Sequence, residues 1–227
     1  MKKRLSPEVN ADLEEHFAQS QREKVFGEDL SAYKDAEVGE LKERLHHDSL
    51  TGLLSREGFK EEISKLMGKK SGSGAILFID IDDFKEINTK YGNPGGDEAL
   101  RSISAALKET LRLKNKTRHP DILARWGGEE FVAFLPDADA STFLAALEKQ
   151  FRKQKLENVV IRLKPVKREN TEERKVTFSG GISDFHPNEN KNIEEQVKEL
   201  LEAVDKTSKI VPQAKASGKD QILFVEN

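Results

Sequence analysis

Cysteine is absent from all 227 residues. That removes disulfides, thiol nucleophiles and cysteine-ligated zinc together, and it fits a reducing compartment. Long apolar runs are absent as well. The most apolar stretch, Ala75 to Ile81, is far short of the roughly 20 residues that a bilayer-spanning helix needs. No apolar segment follows Met1-Lys2-Lys3-Arg4, so no secretory leader is expected. Neither sign of charge is in excess: 38 Lys and Arg stand against 41 Asp and Glu, a net charge of −3. Such a balance selects neither a nucleic acid nor an anionic membrane as partner. There is no internal repeat and no low-complexity segment. These absences point to a soluble cytoplasmic protein, long enough for one ordinary domain and an appendage.

What is present falls into two parts. Residues 1–47 are polar, with scattered core-forming side chains. Val38, Leu41 and Leu45 fall at 3-then-4 spacing, which suits a helix resting on its own domain or the seam of a dimerising stalk. The second part, residues 48–227, alternates helical and strand patterns. Phe59, Ile63, Leu66 and Met67 mark one helix, with Ser55 as its N-cap. Ala75–Ile81 reads as a buried central strand. Phe84, Ile87 and Tyr91 suit a short helix, and Leu100, Ile103, Leu107 and Leu111 a longer one. A hairpin over 122–135 follows, then a helix through Phe143, Leu144, Leu147 and Phe151 with Ser141 as its cap. Val159–Leu163 and Lys175–Ser179 read as a strand pair. Ile193, Val197, Leu200, Leu201 and Val204 form a further apolar stripe, and Ile222–Val225 a last strand. This order predicts an α/β fold with one mixed, largely antiparallel central sheet flanked by helices.

The chemistry gathers in two places. Arg125-Trp126-Gly127-Gly128-Glu129-Glu130-Phe131 sets two carboxylates at the bend of the hairpin, where Gly127 and Gly128 can take positive φ. Asp80, Asp82 and Asp83 end the most apolar strand, either as a plain solvated turn or as part of a site. If the two strands are neighbours, Asp80 and Glu129 converge. Converging carboxylates need a cation or a proton. With no cysteine and no histidine motif nearby, oxygen ligands favour Mg²⁺ or Mn²⁺, and a metal so held implies a phosphate substrate.

Asp48-Ser49-Leu50-Thr51-Gly52-Leu53, Phe78 to Asn88, Gly95-Gly96-Asp97 and Arg125 to Phe131, in this order and at these separations, resemble the GGDEF family of diguanylate cyclases. The resemblance covers residues 48 to 225. It implies a palm-like sheet, condensation of two GTP into cyclic di-GMP and pyrophosphate, and a homodimer, because each domain carries one GTP. It implies that Asp80, the Ile81 carbonyl and Glu129 hold Mg²⁺, with Mn²⁺ as the other candidate. Glu129 would also help deprotonate the attacking 3′-hydroxyl, Glu130 would be a further acid, and Lys85 would offset phosphate charge. The amides around Asp83 and Phe84 would bind phosphates, and Gly128 would leave room for the nucleotide.

Asn88 and Asp97 would read guanine, whose N1–H and N2–H₂ are adjacent donors; each alone is also an ordinary helix-end polar residue. Arg118 and Asp121 resemble the family's RxxD product-binding motif, which implies feedback inhibition by cyclic di-GMP; alone they read as a surface ion pair. The sequence departs from the family in three places. Asn93 stands where histidine is usual, Lys219 where arginine is usual beside Lys215 as a triphosphate contact, and Pro212 interrupts the helix before them. A cyclic di-GMP receptor with little or no turnover is the alternative function.

Overall fold

The computed structural model describes residues 45–68, 72–111, 113, 119–151, 160–163, 165–166 and 170–226. The chain divides into two units, Met1–Arg44 and Leu45–Asn227. The first lies outside the described residues, and with it most of the expected N-terminal helix; Leu45 is exposed.

The second unit is built on a five-stranded sheet in the order β2-β3-β1-β6-β7. Its strands are β1 (Gly74–Ile81), β2 (Ile122–Arg125), β3 (Glu130–Pro136), β6 (Phe178–Phe185) and β7 (Ile222–Phe224). All neighbours are antiparallel except β6 and β7, which run parallel. This is the mixed, largely antiparallel sheet expected. The apolar run of β1 lies at its centre, between β3 and β6, and is buried on both faces. Side chains alternate with period two. Leu77, Ile79 and Ile81 join Phe131, Ala133 and Leu135 on one face, while Ile76 and Phe78 join Val132 and Phe134 on the other.

Helix α1 (Arg56–Met67) covers the second face through Phe59, Ile63 and Leu66, together with Leu200 and Val204 of α4 (Ile193–Ser208). Its start is set as expected, with the Ser55 hydroxyl oxygen accepting from Gly58 N at 3.1 Å. The first face is covered by α2 (Phe84–Thr110) through Ile87, Tyr91, Leu100, Ile103 and Leu107, and by Leu147 of α3 (Ala140–Phe151). The two helices expected over 84–111 are two limbs of α2. They are separated by a kink at Gly92, where φ is 72° and ψ 179°, with Pro94 just beyond. A short helix α5 (Val211–Ala216) follows α4, and Pro212 sits in its first turn, where a missing N–H costs nothing.

Four local expectations are corrected. Lys175–Ser179 is not one strand. β4 (Val160–Leu163) pairs with β5 (Glu172–Lys175) as a separate two-stranded ribbon, and Phe178 begins β6 beside β1. The α3 cap is Asp139 rather than Ser141: its Oδ1 accepts from Ser141 Oγ at 2.7 Å and Thr142 N at 2.8 Å, and these bonds push its carboxyl down to about 2. Neither Gly127 nor Gly128 has positive φ; the bend closes over five residues, with Trp126 N donating to Glu130 O at 2.8 Å. Ile193, counted in the α4 stripe, is exposed. No helix among the described residues is long and apolar enough to cross a membrane.

The α4–α5 junction packs onto β6 at Gly181. A Cβ there would meet Ile210 Cγ2 at 2.2 Å and the Thr207 carbonyl oxygen at 2.8 Å. Gly181→Ala is therefore expected to cost about 1–3 kcal/mol by overpacking, measured as a lower urea midpoint at unchanged slope.

Candidate active site

The β1–β3 register sets Asp80 opposite Glu130, and Ile81 N donates to Glu129 O at 3.2 Å. The expected convergence of Asp80 with the hairpin acids is therefore present at the end of the sheet. Their charges act on one another. Burial, then the neighbouring Glu129 and Asp82 charges, raise the Asp80 carboxyl above its ordinary value despite the opposing Lys215 ammonium. Burial, then Asp80 and Glu129, raise Glu130, against the lowering pull of Arg56 and Lys215.

Lys215 of α5 meets this charge directly. Its Nζ lies 2.5 Å from Asp80 Oδ1 and 3.4 Å from the Ile81 carbonyl oxygen. A cation thus sits against two of the three groups expected to hold metal. Oxygen donors of this kind suit a hard divalent ion. Among the described residues no three His, Cys, Asp or Glu side chains form a ready metal group. The set expected here has only two carboxylates and a backbone carbonyl, which leaves coordination positions for water and phosphate oxygens.

The three aspartates at the end of β1 have three fates. Asp80 faces the hairpin acids. Asp82 is buried and accepts from Thr177 Oγ1 at 2.7 Å, Ser179 Oγ at 2.8 Å and Asp220 N at 3.1 Å, so it ties β1, β6 and the C-terminal segment together. Asp83 has φ 55° at the start of α2 and takes the Lys219 ammonium at 2.6 Å. Lys215 and Lys219, expected on phosphates, thus meet Asp80 and Asp83, and Asp83 offers α2 no side-chain cap.

Phe84 packs against the core beneath the first turn of α2, and Lys85 is exposed beside it. Asn88 lies one turn on. The kink folds the second limb back, so that a Cβ on Gly96 would fall 2.1 Å from Asn88 Oδ1. Asn88 thereby meets the second limb at Gly96, and Asp97 is the next residue along that limb; Asn88 and Asp97 are each half-buried, while Asn93 is exposed between them in sequence. Gly128 opens onto free space, with no atom within 4 Å of a Cβ built there. Arg118 lies outside the described residues, and Asp121 is buried just before β2.

The groups that hold the acidic turn in place carry no role that spacing in the sequence marks. Arg125 Nε and Nη2 donate to the Gly128 carbonyl at 3.1 and 2.7 Å, while Nη1 reaches Asp48 Oδ2 at 2.9 Å. Asp48 in turn accepts from Thr51 N and Oγ1 at 2.8 and 2.7 Å. Burial pushes the Asp48 carboxyl up, but these bonds and the Arg125 charge outweigh it and leave it below its ordinary value. The Arg56 guanidinium lies 4.4 Å from the Trp126 ring centre, and Phe59 packs edge-on to the same ring at 5.7 Å. Asp48 and Arg125 were both in the motifs, but their contact spans 77 positions and no periodicity encodes it.

The raised Glu130 carboxyl has a consequence for stability. Its folded value exceeds the ordinary 4.5, so the charged form destabilises the fold above the folded pKa, and the penalty disappears below the unfolded one. In metal-free buffer with chelator, Glu130→Gln is expected to melt higher than the wild-type chain at pH 7. That gain should fade as pH falls to about 4.5, measured by thermal melts across pH.

The chain is similar to known proteins. The family described as "Diguanylate cyclase, GGDEF domain" matches residues 45–221. YtrP of Bacillus subtilis is 34% identical over 188 residues, 81% of this chain and 28% of that protein. Diguanylate cyclase DgcM of Escherichia coli K12 is 31% identical over 189 residues, 81% of this chain and 39% of DgcM. The chain thus spans less than half the length of these relatives. The crystal structure of diguanylate cyclase SiaD from Pseudomonas aeruginosa matches with TM-score 0.61 at 25% identity, over 96% of this chain and 78% of that one. The GGDEF domain of TpbB from the same species matches with TM-score 0.55 at 28% identity, over 80% of this chain and 95% of that one. With the family match running from the 48–53 loop through the acidic turn to the Lys215–Lys219 segment, the chain belongs to the GGDEF diguanylate cyclase domain family.

Proposed function

We propose that this chain is a diguanylate cyclase that joins two GTP molecules into cyclic di-GMP. The observation that carries the reading is the meeting of Asp80, Glu129 and Glu130 at one end of the sheet with a cation, Lys215, already set on Asp80 and the Ile81 carbonyl. The names of DgcM and SiaD, both diguanylate cyclases, support the same activity.

In this reading Asp80, the Ile81 carbonyl and Glu129 hold Mg²⁺ or Mn²⁺. Bound there, the ion neutralises triphosphate charge and favours the attacking oxygen in its deprotonated form. The protein does the positioning. Asn88 and Asp97, one on each limb beside the kink, take the guanine edge, with the Asp97 carboxylate accepting from N1–H and N2–H₂. The amides of Asp83 and Phe84, with Lys85, take phosphate oxygens, and Gly128 admits the nucleotide beside the acidic turn. Lys215 leaves Asp80 for the triphosphate when substrate arrives, and Lys219 leaves Asp83 in the same way. The 3′-oxygen of each GTP attacks the α-phosphorus of the other, and its proton passes toward Glu129. The bond to the β-phosphate oxygen breaks and pyrophosphate departs, once for each GTP. Catalysis is positioning and charge compensation.

Two GTP sites must face each other, so the working form is a homodimer. Arg118 and Asp121 are the groups proposed to bind cyclic di-GMP for feedback; Asp121 is buried here, so product binding there requires it to be uncovered. A cytoplasmic setting, where GTP is available, suits this chemistry.

Glu129→Gln keeps the shape of the turn and removes the carboxylate. Cyclic di-GMP formation is expected to fall by about a hundredfold or more, the scale of losing a positioned base, with the protein still folded and binding GTP. Undiminished synthesis would overturn the role. Lys215→Met should bind Mn²⁺ more tightly than the wild-type chain without nucleotide, by about tenfold, because the competing ammonium is gone. The same variant should bind GTP more weakly. Equal Mn²⁺ affinity, read by titration calorimetry, would contradict the place given to Lys215.

A further inference from the structure

Helix α2 breaks where the proposed base-reading residues sit, and the break leaves a backbone acceptor to be filled. In a continuous helix the Lys90 carbonyl would accept from the N–H of residue 94. Residue 94 is proline and has none. The acceptor is filled from outside the helix, by the backbone N of Val166, which donates to Lys90 O at 3.0 Å. Val166 lies in the connection between β4 and β5, with its side chain largely in solvent. At this point the ribbon contributes its backbone rather than apolar burial.

The same ribbon grips the end of the first limb with side chains. The buried Tyr91 donates its hydroxyl to Glu172 Oε1 of β5, and the Lys90 ammonium pairs with the same oxygen. Arg174 of β5 lies 3.8 Å from Glu86 one turn earlier. Lys90 and Tyr91 are the last residues before Gly92. Asn88 is on the gripped limb, Asp97 is on the other, and Asn88 touches the second limb only because Gly96 has no side chain. A two-stranded ribbon is marginal alone. This one is anchored in the core by Ile161 of β4 and by Val176 just after β5, and among the described residues it shares no strand pairing with the main sheet, so it acts as a separate brace on α2.

We propose that the β4–β5 ribbon sets the geometry of the α2 break, and through it the discrimination of guanine, with Tyr91 and Glu172 as positioning residues that touch no substrate. The proposal rests on the reading of Asn88 and Asp97 as the guanine contacts. A small change in limb angle moves the Asp97 carboxylate relative to Asn88. Two hydrogen bonds to guanine must form together, so the loss falls on the base that uses both. Inosine, which lacks the 2-amino group, offers that carboxylate one donor instead of two and depends less on the alignment.

The test compares the full chain with Tyr91→Phe, Glu172→Gln and the double variant. Tyr91→Phe keeps the buried ring, and Glu172→Gln keeps the length of its side chain. Affinities for 3′-deoxy-GTP and 3′-deoxy-ITP, which lack the attacking hydroxyl, are measured by calorimetry with Mg²⁺. Thermal melts and kcat with GTP are recorded on the same samples. The preference for the guanine nucleotide should fall by about tenfold in the double variant, through weaker guanine binding. Inosine affinity, melting temperature and kcat at saturating GTP should stay close to wild type. A selective wild-type chain with equally selective variants overturns the proposal while leaving the base assignment standing. Loss of both nucleotides in step with a fall in melting temperature also overturns it, because the ribbon would then serve only folding. A wild-type chain that binds both nucleotides alike overturns the base assignment and the proposal with it.

Discussion

Three carboxylates brought to one end of a sheet are the constraint around which this domain is arranged. The β1–β3 register places Asp80 opposite Glu130, and Ile81 beside it bonds to the Glu129 carbonyl. Burial raises Asp80 and Glu130 further. The fold keeps this energetically costly grouping because positive charge is delivered from the far end of the chain. Helix α4 stops at Ser208, Pro212 opens a new short helix, and that helix carries Lys215 to Asp80. The chain that follows donates from Asp220 N to buried Asp82 and sets Lys219 on Asp83. What reads as an irregular C-terminal segment is the counter-charge of the site.

The acidic turn is also held from behind. Arg125 links the Gly128 carbonyl to Asp48, and Trp126 contacts both the Arg56 guanidinium and, in a T-shaped pair, the Phe59 ring. These contacts join the 48–53 loop, α1 and the turn into one support. Two apolar layers, one on each face of β1, keep the strands that present the acids in register. A rigid scaffold of this kind suits chemistry that depends on where charges are placed.

Much of this was legible in the sequence. The apolar run of Ala75–Ile81 announced a strand buried on both faces, the 3-and-4 spacing of Phe59, Ile63, Leu66 and Met67 gave α1 with its Ser55 cap, and the adjacent Glu129 and Glu130 signalled a site in need of a cation. What was not legible depends on contacts between distant residues. Lys175–Ser179 has one strand-like composition, yet two short residues' worth of chain turns it from the ribbon to the main sheet. Asp139 and Ser141 are both good caps, and only the helix start decides between them. Gly127 and Gly128 suggested left-handed turn geometry. The turn holds both without positive φ, and the atom nearest a Cβ on Gly127 would be the movable end of Glu130, Oε2 at 2.6 Å. The Lys215–Asp80 and Asp48–Arg125 pairs join residues 135 and 77 positions apart, beyond any periodicity argument.

The most direct measurement is turnover by the wild-type protein, stripped of bound nucleotide and given GTP with Mg²⁺, with products separated by anion exchange at several protein concentrations. The account predicts cyclic di-GMP and pyrophosphate, with a rate per chain that rises with protein concentration as two nucleotide-loaded domains meet. Folded protein that binds GTP and yields no cyclic di-GMP at any concentration would contradict it.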